Sequence, residues 1–194
     1  MIIHKLVVGE LRTNCYIVVS ENNNAFIIDP GDNAAGIQAF CQQKGVVPQF
    51  IVNTHGHIDH IKANDALKLP VYVHEDDVEM VSSPVKNMMT SFFGTFTPVV
   101  PERRLKDGDS IELDGMIFHV IHTPGHTRGC ICLSADKILF SGDTLFRDGV
   151  GRTDFPGASS EDLDVSLKKL SLLDKDTVVY PGHGGQTTIG CELF

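Results

Sequence analysis

Residues 50–60 read Phe50-Ile51-Val52-Asn53-Thr54-His55-Gly56-His57-Ile58-Asp59-His60, a short apolar strand that breaks directly into three histidines and an aspartate. Side chains two apart along a strand point the same way. His55, His57 and Asp59 therefore converge if the segment stays extended as it leaves the strand. A turn into a helix, expected over residues 61–69, brings His60 round to join them. Imidazole nitrogens and carboxylate oxygens suit Zn²⁺, iron and Mn²⁺. A lone histidine is usually an ordinary surface or core residue, but four such donors at 55, 57, 59 and 60 point to a metal site.

Three other segments share one grammar, with a candidate ligand in a glycine-bearing loop beside a strand: Pro124-Gly125-His126, Ser141-Gly142-Asp143 and Pro181-Gly182-His183. Glycine lets the backbone turn tightly and leaves room for an ion or substrate. With the first cluster they supply enough donors for two divalent ions sharing a carboxylate. Around them the pattern predicts strands at 2–8, 14–19, 25–29, 50–53, 71–73, 110–113, 116–121, 129–133, 137–140 and 177–180. Helices are expected over 34–44, closed by Gly45, and over 159–173. There Leu163, Leu167 and Leu170 form a stripe behind a Ser159/Asp162 start. Strands followed by helices, twice over, predict an α/β fold of two face-to-face sheets with helices outside. Residues 82–100 lack clean periodicity and are expected to cover the site; Met88, Phe92 and Phe93 are candidates to line its mouth, with core packing the commoner fate of such residues.

The order Thr54-His55-x-His57-x-Asp59-His60, His126, Asp143, His183 resembles the metallo-β-lactamase superfamily over nearly the whole chain. That resemblance implies a four-layer αββα sandwich in which His55, His57 and His126 hold one metal, Asp59, His60 and His183 a second, and Asp143 bridges them. Asp143 stands where the common type of true β-lactamase has cysteine, so antibiotic hydrolysis is not the expected role. Ser141-Gly142-Asp143-Thr144-Leu145-Phe146, residues 150–157 and the Pro181–Gly184 stretch resemble the short, single-domain glyoxalase II-like (hydroxyacylglutathione hydrolase-like) proteins. One departure is plain: only residues 184–194 follow the last ligand. Residues 1–194 are therefore expected to form a single domain without the helical glutathione-binding domain of glyoxalase II itself.

The implied activity is hydrolysis of a small hydroxyacyl-thiol ester by a water activated between two divalent metals, zinc being the expected ion, with iron or manganese as alternatives. Asp59 would orient that water and handle its proton. Arg152 is the candidate contact for a substrate carboxylate, with an ion pair to Asp148 or Asp154 as the competing expectation. His122 is expected to be structural. A second reading is a persulfide dioxygenase using one iron on the equivalents of His55, His126 and Asp143. Lactone or phosphodiester hydrolysis and a non-enzymatic scaffold complete the range.

The formal net charge of −9, without any run of Lys and Arg, argues against nucleic acid as partner. No apolar run approaches the roughly 20 residues that cross a bilayer, and the N-terminus lacks a signal-peptide pattern. The scattered cysteines, Cys15, Cys41, Cys130, Cys132 and Cys191, suit reduced thiols in the cytoplasm.

Overall fold

In the computed structural model, which describes residues 1–87 and 90–193 apart from the side chains of Phe92 and Phe93, the chain forms two six-stranded sheets. The first runs in spatial order β1 (Ile2–Val8), β2 (Thr13–Val19), β3 (Asn24–Ile28), β4 (Val47–Val52), β5 (Val71–His74) and β6 (Arg103–Leu105). It is antiparallel through β3 and parallel beyond. In the second sheet β7 (Ser110–Leu113), β8 (Met116–His122), β9 (Ile131–Ala135) and β10 (Ile138–Gly142) form an antiparallel meander. After the small hairpin β11 (Leu145–Phe146) and β12 (Gly149–Val150), β13 (Val178–Pro181) pairs parallel with β10, and β14 (Thr187–Thr188) closes that edge.

Every residue of β2 is buried because each of its faces meets a different apolar layer. Tyr16 and Val18 face the second sheet, in a core with Phe26, Phe50, Phe118, Ile131 and Phe140. Cys15, Ile17 and Val19 face outward onto α1 (Ala34–Lys44), meeting Ile37 and Cys41. The second sheet has the same two-sided character. Cys132, Leu139 and Val179 pack on Leu170 of α6 (Ser160–Leu170) and on Ile189, while Leu167 is partly buried beside them. Helix, sheet, sheet, helix is the expected αββα sandwich. Gly45 closes α1 in a left-handed conformation, and the Ser159 hydroxyl caps α6 by accepting from the Asp162 amide.

Three local expectations fail for identifiable reasons. The helix expected over 61–69 is two single turns, α2 (Ile58–Ile61) and α3 (Asn64–Leu67). The Ala63 amide donates to the Pro30 carbonyl at 3.0 Å, which breaks the helical ladder between them. The approach is close enough that a Cβ on Gly31 would overlap the Asp59 carbonyl oxygen. The extended run through Asp59 is also absent. β4 ends at Val52, and the Asn53 side chain donates to the His60 carbonyl at 3.1 Å, folding the loop back on itself. Likewise β9 begins at Ile131 and not at Gly129, whose amide is drawn to Asp77 at 2.9 Å.

Residues 82–100 extend from α4 (Val78–Ser82), and α5 (Thr90–Phe93) lies within the segment. It is pinned by Phe96 and Val99, which pack with Ile58, Ile61, Val73 and Val81. Among the described residues, no helix is long and apolar enough to cross a membrane.

The inter-sheet aromatic layer carries much of the stability. Phe118 is fully buried, edge-on to Phe26 with ring centroids 5.0 Å apart. Phe118→Ala is expected to cost about 3–5 kcal/mol, read as a lower urea midpoint at unchanged slope. A loss under about 1 kcal/mol would show that this layer is not the principal core.

Candidate metal centre

The loops that follow β4, β8, β10 and β13 all open at one edge of the sandwich, and they carry His55 and His57, His126, Asp143, and His183. The first turn of α2 adds Asp59 and His60. Backbone bonds across that edge hold the two sheets together. The Asn14 amide donates to the Gly182 carbonyl at 2.7 Å, and Thr13 bridges to His183.

All seven candidate ligands come together. His55 Nε2 lies 3.1 Å from His57 Nδ1, which lies 2.9 Å from His126 Nε2. On the other side, His60 Nε2 is 3.3 Å from His183 Nε2 and 3.4 Å from Asp59 Oδ2. Asp143 stands between the groups, with Oδ1 3.5 Å from His60 Nε2 and Oδ2 3.6 Å from His126 Nε2 and 3.5 Å from His183 Nε2. His55, His57 and His126 form one donor group able to hold an ion, and Asp59, His60 and His183 another.

The outer nitrogens decide where the lone pairs point. His126 Nδ1–H donates to the Arg152 carbonyl at 2.8 Å, and His183 Nδ1–H to the Leu11 carbonyl at 3.1 Å. His60 Nδ1 faces Asp29 Oδ2 at 3.0 Å. His55 Nδ1 meets the Thr54 hydroxyl at 3.2 Å, which itself donates to Asp29 at 2.6 Å. Each of these four imidazoles therefore turns an unprotonated Nε2 inward when neutral, the arrangement of a metal-binding histidine held by its outer hydrogen bond. Neutral imidazoles whose lone pairs face one another cannot satisfy each other. Asp143 Oδ1 is buried with no hydrogen-bond partner among the described residues. This inward, unsatisfied donor set fits divalent metal ions.

Without metal, the two halves carry opposite protonation. Burial, reinforced by neighbouring imidazoles, holds His55 well below its usual range and His57 at about 3. Burial opposes the charge on His60 as well, but Asp59, Asp143 and Asp29 override it and keep the ring protonated. His183 rises to about 9, against burial, through hydrogen bonds to Asp143 and Asp59. His60 holds Asp59 at about 2 and Asp143 well below the carboxylate range, in both cases against burial.

Two acids not among the candidate ligands, Asp29 and Asp77, support this centre. Asp29 follows β3 in the left-handed conformation (φ 51°) and accepts from the Thr54 amide, the Thr54 hydroxyl and His60. Its signal was legible, because Asp29-Pro30-Gly31 repeats the loop grammar of the ligand segments. Asp77 is buried and accepts from the Gly56 amide at 2.8 Å, the Thr127 hydroxyl at 2.7 Å and the Gly129 amide at 2.9 Å. It thereby fastens the His55–His57 loop to the His126 loop. Nothing in the run Glu75-Asp76-Asp77 distinguishes it in sequence.

Arg152 sits away from the donors. Its guanidinium is exposed, doubly bonded to Asp154 at 2.6 Å, and stacked on Phe155 at 4.1 Å. It reaches the centre through its backbone carbonyl. Phe155, unassigned from sequence, stands edge-on to His57 with centroids 5.7 Å apart. His122 donates to the Arg128 carbonyl at 2.8 Å and stacks on His74, in keeping with a structural role. A cavity of about 710 Å³ opens beside His57, between residues 85–87 and 90–91 of the cover and residues 154–157. Met88 lies outside the described residues, as do the side chains of Phe92 and Phe93, so their expected place at its mouth is not described.

The metallo-beta-lactamase superfamily pattern matches residues 8–183. The chain belongs to that superfamily. It is 40% identical to an uncharacterized protein of Mycobacterium leprae, across 99% of this chain and 95% of that one. It is 34% identical to the hydroxyacylglutathione hydrolase GloC of Haemophilus influenzae, across 95% of this chain and 92% of that one. Among solved structures, it is similar to the BLEG-1 B3 metallo-beta-lactamase (TM-score 0.92, 32% identity, 98% and 95% coverage). It is also similar to TTHA1623 in a di-iron-bound form (TM-score 0.86, 37% identity, 97% and 96% coverage).

Two outcomes test the centre. Because His60 and His183 are both protonated at pH 7 without metal, loading metal-free protein should release about two protons. Calorimetry in buffers of different ionisation enthalpy measures this, and release should fall as pH passes about 9, where His183 is already neutral. Near-zero release at pH 7 would refute the protonation pattern. Asp77→Ala strands three buried donors and should cost on the order of 2–5 kcal/mol in chemical denaturation while lowering metal retention.

Proposed function

We propose that this protein is a dinuclear metal-dependent hydrolase of small thioesters, with the seven converging residues holding two divalent ions between them. The observation that carries the reading is the inward set of lone pairs around Asp143, fixed by outer hydrogen bonds on four histidines. His55, His57 and His126 hold one ion and Asp59, His60 and His183 the other, with Asp143 shared. The similarity to GloC, called a hydroxyacylglutathione hydrolase, supports the thioester class, and the di-iron form of TTHA1623 supports a two-metal site. The donors are nitrogen and oxygen without thiolate, which suits zinc, and iron or manganese as well. Five free cysteines are in keeping with a cytoplasmic setting.

Ions bound there would polarise a carbonyl and bring the pKa of water from about 15.7 toward about 7. The remaining chemistry belongs to the chain. Thr13 donates to Asp59 Oδ2 at 2.9 Å and fixes its rotamer, so this partly exposed carboxylate can orient the attacking water and accept its proton. Phe155 and His57 wall the approach from the cavity and exclude water from the acyl face. The departing thiol has a pKa near about 8.5 and leaves as thiolate without a strong general acid.

Elemental analysis of protein purified without added metal or chelator should give about two ions per chain. The same protein should hydrolyse members of a panel of hydroxyacyl thioesters. Asp143→Ala should remove the paired ions and lower kcat/KM by at least about 1000-fold, about 4 kcal/mol of transition-state stabilisation. A variant that keeps two ions and full activity would overturn the role of Asp143. The panel includes a cephalosporin because of the BLEG-1 similarity. Turnover of that compound with none of the thioesters would replace this reading.

A further inference from the structure

The cavity beside His57 is large enough for the arm of a substrate, and its wall has a particular charge arrangement. Most charged side chains there already face a partner. Asp77 is buried under its three donors. Glu79 lies 3.7 Å from the Lys86 ammonium, and Asp154 is held in the two bonds from Arg152. The Asp76 carboxylate is exposed, 3.7 Å from a His74 Nδ1 that accepts from the Asp76 amide and so offers it no proton. Arg128 differs: its guanidinium is exposed on the cavity wall and makes no ion pair or hydrogen bond among the described residues.

The backbone beneath Arg128 is fixed on both sides. The Thr127 hydroxyl and the Gly129 amide both bond Asp77, and the Arg128 carbonyl accepts from His122 at 2.8 Å. The side chain thus rises from a rigid base two positions after the ligand candidate His126, with its charge uncommitted. A planar guanidinium fork matches a carboxylate with two parallel hydrogen bonds. The chain as a whole carries a net charge of −9, so an anionic substrate meets a repulsive background and needs a local cation.

We propose that Arg128 forms an anion subsite that binds a carboxylate on the thiol-derived arm of the substrate. The proposal rests on the thioesterase reading above. In that reaction a small acyl carbonyl sits at the donors, which leaves the cavity for the thiol arm. Arg128, whose charge is free, takes the role that the sequence suggested for Arg152, whose charge is occupied by Asp154.

The test uses lactoyl thioesters of N-acetylcysteine, which bears a carboxylate, and of N-acetylcysteamine, which lacks it. Wild-type protein should favour the first in kcat/KM by about tenfold, chiefly through KM. Arg128→Gln should reduce that preference to near unity, and Arg128→Lys, which keeps the charge, should retain part of it. An unchanged preference in Arg128→Gln would overturn the subsite, as would a wild type with no preference. Should wild type hydrolyse neither ester, the thioesterase reading fails and the subsite is judged by binding alone. For that, S-butyl-N-acetylcysteine is titrated into wild type and Arg128→Gln by calorimetry or NMR. An affinity about tenfold weaker in the variant supports the subsite, and equal affinity overturns it.

Discussion

A buried imidazole offers a metal only the lone pair that its other nitrogen does not dictate, so the centre depends on what stands behind each ring. Here the partners are two backbone carbonyls, those of Arg152 and Leu11, together with Asp29 and the Thr54 hydroxyl that leans on Asp29. None comes from the same element as the ring it orients, apart from Thr54 beside His55. The fold must therefore be complete before the lone pairs converge. The Leu11 carbonyl is placed by the turn between β1 and β2, Asp29 by the end of β3, and Arg152 by the loop after β12. That is why one edge of the sandwich collects so many cross-sheet bonds. It is also why glycine is required where these loops touch, as at Gly182, whose Cβ would overlap Asp143 Oδ1.

Charge explains how such a crowded site can fold without its ions. Asp59 and Asp143 both face His60 and His183, and two carboxylates gathered on the same imidazoles need a compensating cation. Protons on His60 and His183 supply it, whereas His55 and His57 on the other side stay neutral. A divalent ion in the carboxylate-rich half would thus exchange with protons already present. On the imidazole side it would meet the neutral rings of His55 and His57. The two halves should accordingly differ in how strongly acid weakens metal binding, the carboxylate-rich half being the more sensitive.

Much of this was legible in the sequence because it is written in local pattern. The apolar run of β2, the stripe of α6 and the caps at Gly45 and Ser159 are short-range signals, and the observed elements follow them closely. The seven donors were legible for a similar reason: histidines and aspartates cluster beside glycine at strand ends. What escaped depends on contacts distant in sequence. The break at Ala63 exists because Pro30 supplies a carbonyl there, and Asp77 matters because three donors from two other loops reach it. Arg152 and Arg128 illustrate the same limit. Both are arginines close to a ligand in glycine-bearing loops, and only the position of Asp154 separates an occupied guanidinium from a free one.

The donor set and the cavity wall answer different questions. On the proposed reading, seven inward nitrogen and oxygen donors would supply activated water and a polarised carbonyl, and the chain is similar both to GloC, called a hydroxyacylglutathione hydrolase, and to BLEG-1, called a metallo-beta-lactamase. Discrimination between substrates comes from groups that touch the parts which do not react. In this chain those groups lie on residues 76–77, 79–80, 85–87, 90–91, 127–128 and 154–157, which line the cavity without belonging to either sheet. Apart from Asp77 and Thr127, which fasten the histidine loops to each other, substitutions there leave the hydrogen bonds behind the ligands intact, because those come from Leu11, Asp29, Thr54 and the Arg152 backbone. The architecture therefore separates catalytic power from substrate choice, so that the wall can change its charge pattern while the centre keeps its geometry.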